Sequence, residues 1–136
     1  MAQPTHRQTH EAGRHLVVAE ALLRGYEAEI DGPSTYVTVN DHRAQVQVAA
    51  QGAWQVADVD KYTSGTIETV VLVNVMGGHR ELYVCPGDEL RASVRHRHDS
   101  FLTAQGGHRP RNPESKHTTI QPEQVVDWQD NWGRLA

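Results

Sequence analysis

Positively charged side chains in the C-terminal half are the first residues in the chain that could do chemistry. From Arg91 to Lys116 there are six lysines and arginines against two acids, and four histidines lie in or beside the same stretch. Such a cluster favours an anionic ligand, and irregular segments such as 106–119 often carry binding groups. A solvated helix face followed by a polar connecting loop is the alternative. The candidate anion-binding residues are Arg95, Arg109, Arg111, Lys116 and His117.

The nine histidines do not show the spacing of a metal site. His6 and His10 are four residues apart, which suits two zinc ligands on one helix, but they precede the segment that we predict to be the first helix. His96 and His98 are two apart on a predicted helix and therefore point to different sides. Nucleophile-elbow serines and glycine-rich phosphate loops are also missing from the sequence. We therefore expect no metal centre and no cofactor.

The composition indicates one globular domain. The chain has 136 residues, and its formal charge of -4 argues against a strong nonspecific grip on nucleic acid. Cys85 is the only cysteine, so an intrachain disulfide is impossible, and we expect it to be a small apolar strand residue. The longest apolar run is too short to span a membrane, and a signal-type apolar stretch is missing, so we expect a soluble cytoplasmic protein.

The hydrophobic pattern predicts how these groups are positioned. Met1 to Gln8 is expected to be disordered, and residues 9–136 to form a single domain. Thr9 is the predicted N-cap of the first helix, and the most apolar strand is expected to be buried on both faces. The predicted elements are a helix at Glu11 to Arg24, strands at Tyr26 to Ile30, Thr35 to Val39, Arg43 to Ala49, Thr69 to Val75 and Glu81 to Cys85, and helices at Asp88 to Ala104 and from Pro122 onward.

Two further expectations concern less regular segments. Residues 52–65 are predicted to be a loop or a short helix, and residues 108–119 a loop. Trp128 and Trp132 are expected to lie on one stripe of the C-terminal helix, as core residues or as a dimer contact. Trp54 is the tryptophan that we expect to form a pocket wall.

The order of these elements resembles the PD-(D/E)XK, or restriction-endonuclease-like, superfamily. The resemblance rests on the segments HLVVAEALLRGYEAEI, TYVTV, AQVQVA, VVLVNV and ELYVCP, and it covers roughly Thr9 to Cys85. The C-terminal tail looks like that of small bacterial members of the group. It implies an α/β fold: an α-β-β-β core with a mixed sheet flanked by helices, followed here by a C-terminal helical tail.

The resemblance also implies where catalytic groups would lie. Family members hold magnesium with a strand aspartate and with a Glu or Gln ten residues on, and a lysine two residues further positions water. A residue-by-residue match puts Val37, Gln47 and Ala49 at these positions. Val37 cannot bind metal and Ala49 cannot orient water, so Gln47 is the one group retained. Glu20 on the first helix is a weak second candidate, because some members place a helix carboxylate there.

We therefore predict a catalytically degenerate member that acts by binding, in an accessory or regulatory role, as a homodimer. One alternative is an enzyme or binder of a small acidic metabolite that uses the old cleft. Another is a nucleic-acid-binding protein, or a nuclease with migrated catalytic residues that would require magnesium. A deep closed pocket beside Gln47 favours the small ligand, and an open groove lined by Arg95, Arg109 and Arg111 favours a polymer.

Overall fold

A computed structural model describes residues 3–104, 106 and 116–136 of the chain. Two long helices, one short helix and seven strands are found in this part, followed by short 3-10 turns. The elements are α1 His6–Leu23, β1 Ala28–Asp31, β2 Tyr36–Val39, β3 His42–Ala49, β4 Trp54–Val56, α2 Val59–Thr63, β5 Thr69–Asn74, β6 Glu81–Pro86, α3 Gly87–Ala104 and β7 Thr118–Ile120, with 3-10 turns at Pro122–Gln124, Val126–Trp128 and Trp132–Leu135.

The main sheet has the strand order β1-β2-β3-β5-β6. β3 and β5 are parallel, and the other neighbouring pairs are antiparallel. Every residue of β5 is buried, as expected for the most apolar run. Cys85 is also fully buried, and burial raises the pKa of its thiol to about 12. This mixed sheet flanked by helices confirms the predicted α/β class.

The first helix begins earlier than the sequence pattern suggested. α1 begins at His6, inside the segment expected to be disordered. Thr5 and Gln8 form a capping box, in which each side chain accepts a hydrogen bond from the other residue's backbone N–H, at 3.1 and 2.9 Å. Thr9, the predicted cap, lies inside the helix and donates to the carbonyl of Thr5. The prediction of disorder is therefore wrong for residues 6–8, because the capping box satisfies the exposed amides of the first turn.

The turn between β2 and β3 fixes which side chains share a face. Asn40 and Asp41 both have positive φ, 48° and 65°, as a two-residue type I′ hairpin requires. The pairing that follows places Tyr36 opposite Gln45 and Val37 opposite Ala44. Residues directly opposite one another in a ladder share a face, so the polar positions of both strands lie together.

Two hydrophobic cores lie on the two sides of the sheet. The first packs beneath α1, and its strand residues include Val37, Val39, Ala44 and Val46. The second lies beneath α3 and the small β4–β7 sheet, and includes Ala49, Trp54, Leu72 and Leu90. Because strand side chains alternate, consecutive residues of β3 contribute to opposite sides.

The predicted C-terminal helix is wrong. The chain forms separate 3-10 turns, Gln129 is extended, and Asp130 has a φ of 54°, which ends any continuous helix. Instead, Asn131 donates its side-chain amide to the carbonyl of Val84, and the backbone of Asp130 donates to that of Leu82. The C-terminal segment therefore bonds to the edge of β6 and does not form a helix. It also separates the two tryptophans: Trp132 packs in the first core and Trp128 against the second.

Residues 52–65 fold into more structure than predicted. β4 precedes α2, and it pairs with β7 from the segment predicted to be a loop. Asp58 caps α2 by accepting from the amides of Asp60 and Lys61.

Among the described residues, no helix is both long and apolar enough to cross a membrane.

Candidate binding groove

An open groove lies on the face of β2 and β3 opposite α1. It consists of two adjoining depressions of about 800 and 480 Å³, which share Gln45 and Gln55 in their walls. The larger one extends past α2 to the start of β5, and the smaller one reaches the N-terminal turn of α1. We call the two together the β3 groove. The groove is open, but Arg95 is not among its described lining residues, so it is not the arginine-lined groove that the polymer alternative predicted.

The walls of the larger depression carry a balanced set of charges. Three cations face the space, Arg43, Lys61 and Arg91, and the three acids are Asp41, Asp58 and Glu68. The backbone carbonyl of Ile67 accepts from Arg91 at 2.9 Å. A surface with equal numbers of both signs attracts phosphates only weakly in sum, so ligand affinity here depends on individual contacts.

Gln47 lies on the groove face, and its side chain is already held. The hydroxyl of Tyr62 donates to Oε1 of Gln47 at 2.8 Å. Tyr62 packs against the second core, and burial raises the pKa of its hydroxyl above the ordinary value, so it remains a neutral donor. The amide oxygen that would serve as a metal ligand is therefore occupied by a protein donor.

The three positions matched to the nuclease motif do not converge. Val37 is fully buried in the core beneath α1, whereas Gln47 faces the groove and Ala49 is 2% exposed in the second core. The sequence match placed them at one site, and this is wrong by one strand position, since a shift of one residue reverses the face. The β2 residues that share the face of Gln47 are Tyr36, directly opposite Gln45, and Thr38, opposite Arg43.

Tyr36 is not a metal ligand either. The guanidinium of Arg43 lies over its ring, 3.7 Å from the centroid, and is paired with Asp31 at 3.1 Å. Beside Gln47 the face presents an aromatic ring, a neutral amide and Ala49, where a magnesium site would require carboxylates. The acids at the larger depression are not grouped with other ligands so that they could hold an ion, within the described residues. These residues do not fit the magnesium that the resemblance implied.

Glu20 does not join this face. It lies on α1, on the other side of the sheet, and its carboxylate pairs with Arg24 at 2.7 Å. Arg24 in turn lies over the ring of Trp132. Glu20 therefore has a local role at the C-terminal end of α1, and the structure does not bring it to Gln47.

Two predicted anion-binding residues meet on one carboxylate. Arg95 and Lys116 contact the two oxygens of Asp60 at 2.6 and 2.9 Å. Hydrogen bonds from Lys116 and then Arg95 lower the pKa of Asp60 to about 2. Arg95 also contacts Asp99 at 3.6 Å. Lys116 therefore attaches the segment before β7 to α2, and Arg95 attaches α3 to α2. Much of the charge of both cations is neutralised within the protein.

The remaining predicted site residues have different surroundings. His117 is 2.8 Å from Oε1 of Gln55, on the rim of the groove. Trp54 borders the smaller depression, but it is 2% exposed and its indole N–H donates to the carbonyl of Val73 at 3.2 Å. It is a core residue beneath the groove. Arg109 and Arg111 lie outside the described residues.

Within residues 3–104, 106 and 116–136, no three His, Cys, Asp or Glu side chains are grouped so that they could hold a metal ion. Histidine does form one close pair: the rings of His6 and His10 lie 4.9 Å apart on α1. Both histidines precede the predicted helix start at Glu11, but α1 begins at His6, so they lie on one helix.

The comparison with solved structures gives a match, and this match concerns the fold alone. The structure is similar to that of a solved bacterial homing endonuclease, I-Ssp6803I, with a TM-score of 0.54 over 97% of this chain and 91% of the other. The two sequences are 12% identical, so the likeness concerns architecture. No family model matches the chain, and no curated protein matches its sequence. The chain therefore has a nuclease-like fold.

Sequence reasoning missed most of the groove. Tyr36, Gln45, Gln55 and Lys61 all line it, whereas the residues predicted at this place were Gln47 and Trp54. A usable signal was present in the alternation of TYVTV and AQVQVA, which puts the polar residues of both strands on one face. Gln55 and Lys61 had no such signal, because they depend on how β4 and α2 fold over β3.

Proposed function

We propose that this protein binds nucleic acid in the β3 groove without hydrolysing it, as an accessory or regulatory protein. The observation that carries the proposal is the groove face of β2 and β3, which presents Tyr36 and Gln47, while the matched motif positions Val37 and Ala49 are buried in the two cores. Tyr36 is covered by Arg43, and Gln47 is held by Tyr62. The likeness to a homing endonuclease supports nucleic acid as the ligand class.

The absence of hydrolysis is tested by incubating the purified protein with single- and double-stranded DNA and RNA in magnesium and in manganese. We expect every strand to remain intact. Metal-dependent cleavage that co-purifies with the protein and is lost in Gln47→Ala would overturn the proposal. Cleavage by a contaminating nuclease would persist in the Gln47→Ala variant, which distinguishes it from activity of this protein.

Binding by the groove is tested by fluorescence anisotropy with mixed-sequence oligonucleotides at several salt concentrations. Lys61 is exposed at the groove, so Lys61→Ala should weaken binding and make the slope of log K against log salt shallower by about 0.9 for duplex DNA or 0.7 for a single strand. The groove has three cations, so all of them together should contribute no more than about 2.7 to the slope for duplex DNA. Arg80→Ala is the matched control, because Arg80 lines neither depression.

A small acidic ligand is the second candidate. It is favoured by the volume of the larger depression, about 800 Å³, which lies within the range of small-molecule sites. A screen of small phosphates and carboxylates by thermal shift separates the two ideas. Saturable stabilisation lost in Lys61→Ala, together with no oligonucleotide binding, would select the small ligand.

We also propose a homodimer, as the sequence analysis predicted. Light scattering coupled to size exclusion gives the mass directly. A mass of one chain across a wide range of protein concentration would reject this proposal.

A further inference from the structure

The N-terminal turn of α1 places two imidazoles side by side at the edge of the smaller depression. His6 and His10 are at positions i and i+4, and their ring centroids are 4.9 Å apart. Both border the depression, together with Thr9 and Gln51. Residues four apart lie on the same helix face, which is the arrangement that lets two histidines chelate one ion.

The capping box fixes the backbone that carries the two histidine side chains. Thr5 and Gln8 fix the first turn through two reciprocal hydrogen bonds. Thr9, between the two histidines, donates its hydroxyl to the carbonyl of Thr5 at 3.0 Å. The backbone that carries both imidazoles is therefore ordered before any ion arrives, so binding has only to select side-chain rotamers.

We propose that His6 and His10 form a site for a transition-metal ion of the zinc, nickel or copper(II) class. Imidazole nitrogen suits these ions, at metal–nitrogen distances of about 2.0–2.1 Å for zinc, whereas magnesium prefers oxygen ligands. With two protein ligands the site is open, and water fills the remaining positions on the side of the depression. An ion there would add positive charge at one end of the β3 groove. Gln47 and Ala49 line the same depression, but the two imidazoles come from α1 and not from the strands.

The test is isothermal titration calorimetry of zinc chloride into the chain prepared without a polyhistidine tag. We expect saturable binding of one ion per chain in the micromolar range. His10→Ala and His6→Ala should each weaken it by at least about tenfold, since even the loss of an outer-sphere partner costs about 10- to 100-fold in metal affinity. His79→Ala, in the exposed turn between β5 and β6, is the control and should bind as the wild type does.

A second readout separates chelation from general histidine binding. Cobalt(II) bound by both imidazoles gives visible d–d absorption, which should vanish in the His6→Ala/His10→Ala double variant. Far-ultraviolet circular dichroism checks that the variants remain folded. Unchanged zinc affinity in that folded double variant, or equal losses in His79→Ala, would overturn the proposal. Because the assay uses the metal alone, its result does not depend on whether the groove binds nucleic acid.

Discussion

On one face of β2 and β3, Val37, Val39 and Val46 are fully buried beneath α1; on the other, Tyr36 and Gln45 line an open groove. Both faces come from the same two strands, whose side chains alternate between them. The α1 face is packed as a core, so its residues are set by volume and shape. The groove face leaves Tyr36 and Gln45 partly exposed, so these side chains can contact a ligand. The difference shows which residues stabilise the fold and which are available for function.

The largest expected difference between the faces comes from two adjacent residues of β3. Val46→Ala removes buried methyl groups and leaves a cavity beneath α1, so it should lower the free energy of unfolding by about 2 kcal/mol. Gln45→Ala on the groove face should change it by less than about 0.5 kcal/mol. Urea denaturation measures both. Equal losses would contradict the separation of the two faces.

A smaller loss is expected where α1 approaches β3 most closely. A Cβ on Gly13 would collide with the side chain of Val48, so Gly13→Ala should cost about 1–2 kcal/mol in spite of the better helix propensity of alanine. The matched variant is the double substitution Gly13→Ala/Val48→Ala, which removes the obstacle. It should be less destabilised than the two single effects added together. Additive losses would indicate that the helix does not rest on Val48.

Two tyrosines provide a comparison of hydrogen bonds on the two sides of the sheet. Tyr62 donates to Gln47 at 2.8 Å on the groove side, and Tyr26 donates to the carbonyl of Trp132 at 3.4 Å on the α1 side. Tyr62→Phe should cost about 1 kcal/mol, because the bond is short and partly buried. Tyr26→Phe should cost less, since its bond is long. The reverse order in urea denaturation would show that Gln47 is not held as described.

The smallest effect is expected from the exposed contact of Asp60 with Arg95 and Lys116. A carboxyl with a folded pKa of about 2, below its ordinary 3.8, stabilises the fold above about pH 4 and loses that contribution as pH falls through 2. Asp60→Asn should therefore reduce the loss of stability between pH 4 and pH 2. Because these side chains are exposed, the change should be small and should diminish in high salt. A wild-type acid dependence in the variant would assign it to other carboxyls.

Local patterns in the sequence predicted most of the sheet and both long helices. TVVLVNV was recognised as a strand buried on both faces, because its apolar residues are continuous and β-branched. The β4–β7 sheet was missed because it pairs two three-residue strands that are far apart in the chain. The C-terminal turns were missed for a similar reason: the spacing of Val125, Trp128 and Trp132 suits a helix, but contacts with the edge of β6 decide their structure.

The candidate site was less predictable than the fold. Gln47 was predicted and lies on the groove face, whereas Val37 was matched to the motif by spacing along the chain and not by the face it occupies. The groove residues Gln55 and Lys61 come from β4 and α2, which approach β3 only after the chain has folded. Side chains that a fold brings together from separate elements leave no periodic signal in the sequence.

Backbone amide chemical shifts, followed while a mixed-sequence oligonucleotide is added, test the central claim most directly. The proposed function predicts shifts at Gln45, Gln55 and Lys61, few changes along the buried side of α1 at Val17 and Ala21, and an intact oligonucleotide at the end of the titration in magnesium. Shifts that concentrate on the buried side of α1 at Val17 and Ala21, or a degraded oligonucleotide whose cleavage requires Gln47, would contradict it.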